Sequence, residues 1–207
     1  MSALVDALQQ ALGGDPVSDR PIDVSRLSHD ASHYLLRPQA VVLARETGDV
    51  ARAVAVAREH GVGVTFRSGG TSLSGQGVGD GVLIDTRRGF RDIEVLENGA
   101  KVRVQPGATI RAVNGALASY KTKLGPDPAS EIACTVGGMI ANNSSGMTCG
   151  VTANTYRTIE SMTLVLPSGT VIDTAAPNAD AALRSAEPAL YDVLCSLRDQ
   201  LSRPQMR

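Results

Sequence analysis

The sequence predicts an α+β protein built as two lobes, and three observations predict it. The first is a βαβ pattern that runs from "AVVLA" through an amphipathic stretch to "VGVTF" and on to "GVLID". The second is a pair of later hairpin signals, "DIEVLENGAKVRVQPG" and "SMTLVLPSGTVID". The third is that each half carries one glycine-rich segment flanked by strands, "RSGGTSLSGQG" and "TVGGMIANNSSG". The expected organisation is an N-terminal helix and an irregular polar segment over 1–37, lobes at 38–90 and 91–175, and a helical tail over 176–207.

The elements follow in order. Leu4, Val5, Leu8, Ala11 and Leu12 recur at helical spacing, and Gly13-Gly14 ends that helix. Residues 15–37 read as irregular. Residues 40–44 form a buried strand, after which Thr47 is placed to cap a helix with Asp49 in its first turn. Val50, Ala53, Val54 and Ala57 make that helix's inner face, and Gly61 ends it. A crossover helix of this kind implies parallel strands. Asn98-Gly99 between alternating strands is a hairpin turn. "TIRAVNGALASY" reads as a helix, "LGPDPAS" as loop, and Gly137-Gly138 as the opening of a short apolar turn. The tail is helical from about Pro188, with Leu190, Val193, Leu194, Leu197 and Leu201 on one face.

Composition narrows the function classes. Hydrophobic residues are 43% and charged residues 20%, as in a globular domain. With aromatics at 3% and no Trp, the core must come from Val, Leu, Ile and Ala. A net charge of −1 argues against a nucleic-acid footprint. No apolar run approaches the roughly 20 residues of a membrane span, and the N-terminus lacks the basic start of a secretory signal. Cys134, Cys149 and Cys195 are odd and sparse, which fits a reducing, cytoplasmic setting. No CxxC occurs and His29, His33 and His60 are not at ligand spacing, so no metal site is expected.

The chemistry sits in the two glycine-rich segments. The first can cradle phosphate: glycine lets backbone N–H groups converge on an anion, and the hydroxyls of Ser68, Thr71, Ser72 and Ser74 add donors. It lacks the Gly-Lys-Ser/Thr of a Walker loop. It also leaves no room after Gly77 for the helix of a dinucleotide fingerprint. The bland alternative is a flexible surface connection. In the second segment Gly137 and Gly138 open backbone to a flat ligand, and Asn142 and Asn143 offer amides. A long ligand with a central diphosphate and flat rings at its ends would need both segments.

Four motifs in order, "RSGGTSLSGQG", "VQPGAT", "LGPDPAS" and "TVGGMIANNSSG", resemble the FAD-binding domains (PCMH-type) of the vanillyl-alcohol oxidase flavoprotein family. The similarity is greatest to its D-lactate, glycolate and D-2-hydroxyglutarate dehydrogenases. "DASHYLLRPQAVV" further resembles large bacterial members in which an iron–sulfur part follows the flavin part. The resemblance covers about residues 25–175. It implies a PCMH-type fold with the cofactor between two α+β lobes. Ser68, Gly69, Gly70, Thr71 and Ser72 would bind the FAD pyrophosphate, and Gln76 and Gly77 would finish that wall. Pro106, Gly107, Pro126 and Asp127 would line the flavin region. Thr135, Gly137, Gly138, Ala141, Asn142 and Gly146 would hold the other side, with Gly150 at a close backbone approach and Ile172 near the adenine.

Two departures shape the expectations. Members with covalently attached flavin carry a histidine where Thr71 stands, so the resemblance implies noncovalent FAD. Members also have a C-terminal domain that caps the flavin and supplies substrate-binding and base groups, and such a domain is expected to lie outside this chain. No catalytic residue is assigned; His29, His33 and Arg37 are candidates by elimination. The implied activity is hydride transfer from a small 2-hydroxy acid to FAD, with an iron–sulfur domain or another electron acceptor as partner. The isolated chain is expected to be inactive and to hold FAD weakly or not at all. The full-length protein is expected in the cytoplasm or at the inner face of the membrane. The alternatives are an alcohol or sugar-lactone oxidase of the same fold, and a noncatalytic nucleotide-binding module.

Overall fold

Helical spacing of apolar residues becomes helix α1 (Ala3–Leu12) in the computed structural model, which describes residues 2–202. Of the closing "SRPQMR", residues 203–207 lie outside the described residues. Leu4, Val5, Leu8 and Leu12 are buried on one face of α1. The Ser2 side chain accepts the Val5 N–H, and Gly13 ends the helix in the left-handed region.

The segment 15–37 is not wholly irregular, contrary to expectation. It holds a short strand, β1 (Val17–Ser18), and a helix, α2 (Pro21–Leu27). Proline at its start has φ already set for a helix, and the burial of Val24 and Leu27 stabilises seven residues that could not stand alone.

Strand β2 (Ala40–Leu43), helix α3 (Thr47–Glu59), strand β3 (Val64–Arg67) and strand β4 (Val82–Asp85) follow. The helix begins at Thr47, but Thr47 is not its cap. Glu46 holds that position without a side-chain bond, and Asp49 instead turns back to accept the Arg45 N–H at 2.9 Å. The sheet order is β1-β2-β4-β3, with β2, β4 and β3 parallel and β1 antiparallel to β2. Thus β3 does not pair with β2; β4 enters between them. Alternation sends Ala40, Val42, Val82 and Ile84 to the face covered by α1 and α3, and Val41 and Leu83 to the face covered by Val24 and Leu27 of α2.

The second core forms on an antiparallel hairpin, β5 (Ile93–Leu96) and β6 (Lys101–Val104). Its turn is longer than an Asn-Gly pair, because Glu97, Asn98 and Gly99 all take positive φ. Helix α4 (Ile110–Leu117) is capped by Thr109, whose hydroxyl accepts the Ala112 N–H at 3.2 Å. Where a short turn was expected there is a helix, α5 (Val136–Asn142). Two glycines cost it roughly 1 kcal/mol each against alanine, and burial of Val136 and Met139 against Ile110, Val113 and Leu117 offsets that. Ile93, Val95, Val102 and Val104 of the hairpin complete this core.

A one-turn helix, α6 (Thr155–Thr158), is capped by Asn154. The hairpin β7 (Thr163–Val165) and β8 (Val171–Asp173) turns at Gly169, φ +83°. It lies on α3: Gly169 approaches Ala51 and Ala55, and Val165 packs on the first core. The tail forms two helices, α7 (Ala179–Ala186) and α8 (Pro188–Leu201), so helix starts earlier than Pro188. Val193, Leu194, Leu197 and Leu201 of α8 are exposed. Among the described residues no helix is long and apolar enough to cross a membrane.

Candidate functional site

Arg67 and Asp85 pair in register at the C-terminal ends of the parallel strands β3 and β4. That end is where open α/β sheets receive ligands. The first glycine-rich segment leaves β3 there, and it meets the second segment directly. The Ser68 and Thr135 hydroxyls lie 2.6 Å apart, and the Asn142 side-chain amide donates to Gln76 Oε1 at 2.9 Å. Gly69 abuts the Ala133 carbonyl, where a side chain would overlap backbone atoms. Gly138 abuts the Ser68 side chain.

The remaining predicted residues fall into three groups. Pro106 accepts the Gly137 N–H at 2.9 Å, and Gly107 sits against the Thr86 and Phe90 carbonyls just beyond β4, so this turn joins the same seam. Pro126 is buried, and Asp127 bridges Gly146: the Asp127 N–H donates to the Ser145 carbonyl at 2.8 Å, and Thr148 donates to Asp127 Oδ2 at 2.7 Å. Within the first loop, Ser72 reaches Gln76 Oε1 at 3.2 Å and accepts the Ser74 and Gln76 N–H groups. Thr71 is half-buried beside it, and Ala141 is exposed at the end of α5. Two residues stand apart. Gly150, φ +58°, has open space around its α-carbon. Ile172 is buried in β8, on the hairpin that packs against α3.

Sequence reasoning missed the groups that hold the loop's shape. Arg67 is buried, at 7% exposure. Its Nη1 donates to the Gly77 carbonyl at 3.0 Å, its guanidinium underlies Gly70, and its Nε is buried without a partner. Burial pushes its pKa below the usual arginine value, and the neighbouring Arg87 charge adds to this. Asp30 accepts the Gly77 N–H at 3.2 Å and the Ser32 N–H at 2.8 Å. Burial alone would raise the Asp30 carboxyl; the bonds from Ser32 and Gly77 and the Arg67 charge hold it below its ordinary value. The Asp-x-Ser spacing of 30–32 was the available signal, since aspartate commonly folds back on an N–H two residues on.

Asp85 is buried at 1% exposure and grips Arg87 through a fork, 3.0 Å to Nε and 2.6 Å to Nη2, while accepting the Arg87 N–H at 2.9 Å. Burial would raise its carboxyl, and the Arg87 bonds outweigh that and hold it below the ordinary value. His29 and His33 lie on the segment outside the loop, where His29 bridges Leu35. Among the described residues no three His, Cys, Asp or Glu side chains gather as a metal site.

The donor set suits a phosphate-bearing ligand with a polar ring edge. Ser68 and Ser72 hydroxyls and the Asn142 amide line one seam, backed by a buried guanidinium with an unmet N–H.

The comparisons with known proteins agree. A family model described as FAD binding domain matches residues 38–175. Glycolate oxidase subunit GlcD of Escherichia coli (strain K12) is 36% identical over 138 residues, covering 64% of this chain and 28% of the relative. D-2-hydroxyglutarate dehydrogenase of the same strain is 32% identical over 178 residues, covering 84% of this chain and 17% of the relative. The chain therefore spans less than a third of the length of these relatives. Among solved structures, a chitooligosaccharide oxidase superposes with a TM-score of 0.73 at 21% identity, over 89% of this chain and 40% of that one. At that identity the likeness shows the fold alone.

Proposed function

This chain belongs to the FAD binding domain family, and on that premise we propose that it is the cofactor-holding part of a flavin-dependent 2-hydroxy-acid dehydrogenase. The fold is the PCMH-type α+β fold and the cofactor is FAD. The proposed lobes are 38–90 and 91–175, with 1–37 and 176–207 flanking them. The observation that carries the reading is the seam itself, where Ser68 meets Thr135 and Gln76 meets Asn142. Loops distant in sequence but bonded through small polar groups are what a long diphosphate ligand requires.

The likeness to glycolate oxidase GlcD and D-2-hydroxyglutarate dehydrogenase supports a small 2-hydroxy acid as substrate. FAD, when bound, supplies the hydride acceptor. The chain's own residues bind and orient. Ser68, Thr71 and Ser72 with the backbone of Gly69 and Gly70 would take the diphosphate, and Gln76 and Gly77 would close that wall. Thr135, Gly137, Gly138, Ala141, Asn142 and Gly146 would take the opposite side, with Pro106, Gly107, Pro126 and Asp127 behind the ring system. Gly150 and Ile172 complete the proposed set, Ile172 at the adenine end. Substrate-binding and base groups, and an iron–sulfur or other electron acceptor, belong to further parts of the protein in this reading. So does a place in the cytoplasm or at the inner face of the membrane.

Thermal melting with FAD, NAD and ATP tests the assignment. FAD at about 100 times its Kd stabilises the native state by roughly 2.7 kcal/mol, so its midpoint rises while NAD and ATP leave it near that of the free protein. Stabilisation by NAD or ATP without FAD overturns the reading. Thr71 offers no nucleophile for a flavin bond, so acid precipitation of the loaded protein releases all of its flavin to the supernatant. Colour that stays with the washed pellet contradicts noncovalent binding.

A further inference from the structure

Residues 28–36 form a strap laid over the first glycine-rich loop. The strap is closed on itself: the Leu36 N–H donates to the Ser28 carbonyl, His29 bridges Leu35, and the Ser28 hydroxyl ties back to the Val24 carbonyl of α2 at 2.7 Å. It touches the loop at three points. The Ala31 N–H donates to the Gly70 carbonyl at 2.9 Å, Asp30 Oδ2 accepts the Gly77 N–H at 3.2 Å, and the Tyr34 ring lies against Gly75. Arg67 supports two of the same positions, with its guanidinium against Gly70 and Nη1 bonded to the Gly77 carbonyl. Gly70 at φ +68° lets the chain wrap around that guanidinium without a side chain in the way.

We propose that Asp30 and Arg67 are positioning residues that pin loop 68–77, Asp30 at Gly77 and Arg67 at both Gly70 and Gly77, in the form that receives the cofactor's diphosphate. The inference deepens the flavin-domain reading and rests on it. An anion-binding loop gains affinity when its N–H groups are already aimed, because ordering then costs nothing at binding. Glycine has more backbone freedom to lose than any other residue, and this loop is rich in it. The clamp supplies the order from outside. It also explains the half-buried carboxylate beside an anion site, where bare electrostatics would disfavour it. The carboxylate is occupied by Gly77 and Ser32, and its charge is set against the buried Arg67.

Hydrogen exchange of the ligand-free chain, read over peptides spanning 68–81, tests the clamp alongside FAD affinity from flavin fluorescence. The comparison uses the unaltered chain with Asp30→Ala, Asp30→Asn and Arg67→Lys. Asp30→Ala should speed exchange in the loop by about 10-fold or more while α1 and α3 keep their protection, and should weaken FAD binding by at least about 10-fold. Asp30→Asn retains an oxygen for the Gly77 N–H and should recover part of both losses. Arg67→Lys keeps a charge but not the planar fork, and should loosen the loop as Asp30→Ala does. Unchanged loop exchange in Asp30→Ala, or a rise spread evenly over the chain without recovery in Asp30→Asn, overturns the proposal. If the unaltered chain shows no response to FAD, which the reading of an isolated cofactor part allows, the exchange comparison alone decides the clamp.

Discussion

Gly69→Val should lower stability by about 3 kcal/mol and abolish the FAD-dependent rise in melting midpoint. The glycine lies against Ala133 and Cys134, and any β-carbon there would overlap the Ala133 carbonyl. The obstacle is backbone, not the end of a mobile side chain, so relief requires moving residues 68–70 or 130–134. Overpacking of this kind typically costs 1–3 kcal/mol, occasionally more. The movement also pulls Ser68 from Thr135, and with it the wall proposed for the diphosphate. Urea denaturation without ligand and FAD titration separate the two effects. Gly63→Ala is the control: its α-carbon faces open space and needs no special φ, so it should stay within about 0.5 kcal/mol. Full FAD affinity in Gly69→Val would return the seam to a role in packing alone.

Asp85→Ala should be costlier still, about 3–5 kcal/mol, the range for removing one partner of a buried ion pair. The side chain is wholly buried, and Arg87 bonds it three ways while Arg67 lies beside it on β3. Its loss leaves two guanidinium groups near each other without their shared counter-charge. The same pair sets an acid limit. The folded Asp85 carboxyl titrates below the ordinary 3.8, so its stabilisation is present above that value and is lost as pH falls through the lower, folded one. In Asp85→Asn the acid-side slope of stability against pH should flatten in that window. A slope identical to that of the unaltered chain would mean that other carboxylates carry the acid transition.

How much of this was legible follows from what signals are local. Helices α1 and α3 were readable because their apolar residues repeat at helical spacing, and strands β2, β3 and β4 because short apolar runs end at turn residues. The order of the strands was not, since nothing in "GVLID" says which neighbour it will pair with; that is settled by burial on both faces. Helix α5 was missed because Gly137 and Gly138 argue against helix locally, and only contact with α4 and the β5–β6 hairpin reverses that. The two glycine-rich segments were found from composition, and the structure joins them through Ser68 with Thr135 and Gly138 and through Gln76 with Asn142. Some of their glycines have packing reasons, as at Gly69 with Ala133. Asp30 and Arg67 read as ordinary charged residues, because a clamp is a relation between positions that composition does not display.

The absence of a helix between β3 and β4 bears on how the chain reaches its fold. Parallel neighbours need a connection that travels the length of the sheet, usually through a helix. Here residues 68–81 make that journey, and the Val82 N–H meets the Gly63 carbonyl at the far end. The central strand cannot zip into place until this flexible stretch has closed. Its closure entropy is met on the way to the transition state, before the β4 pairings reward it. Shortening or stiffening 71–75 should therefore move the folding arm of a chevron, whereas weakening Asp30 should mostly steepen escape from the native state, leaving the folding arm in place. A folding arm unmoved by loop stiffening would show that the stretch closes only after the barrier. In kinetic terms the segment proposed to hold the ligand is also the hinge on which assembly of the sheet turns.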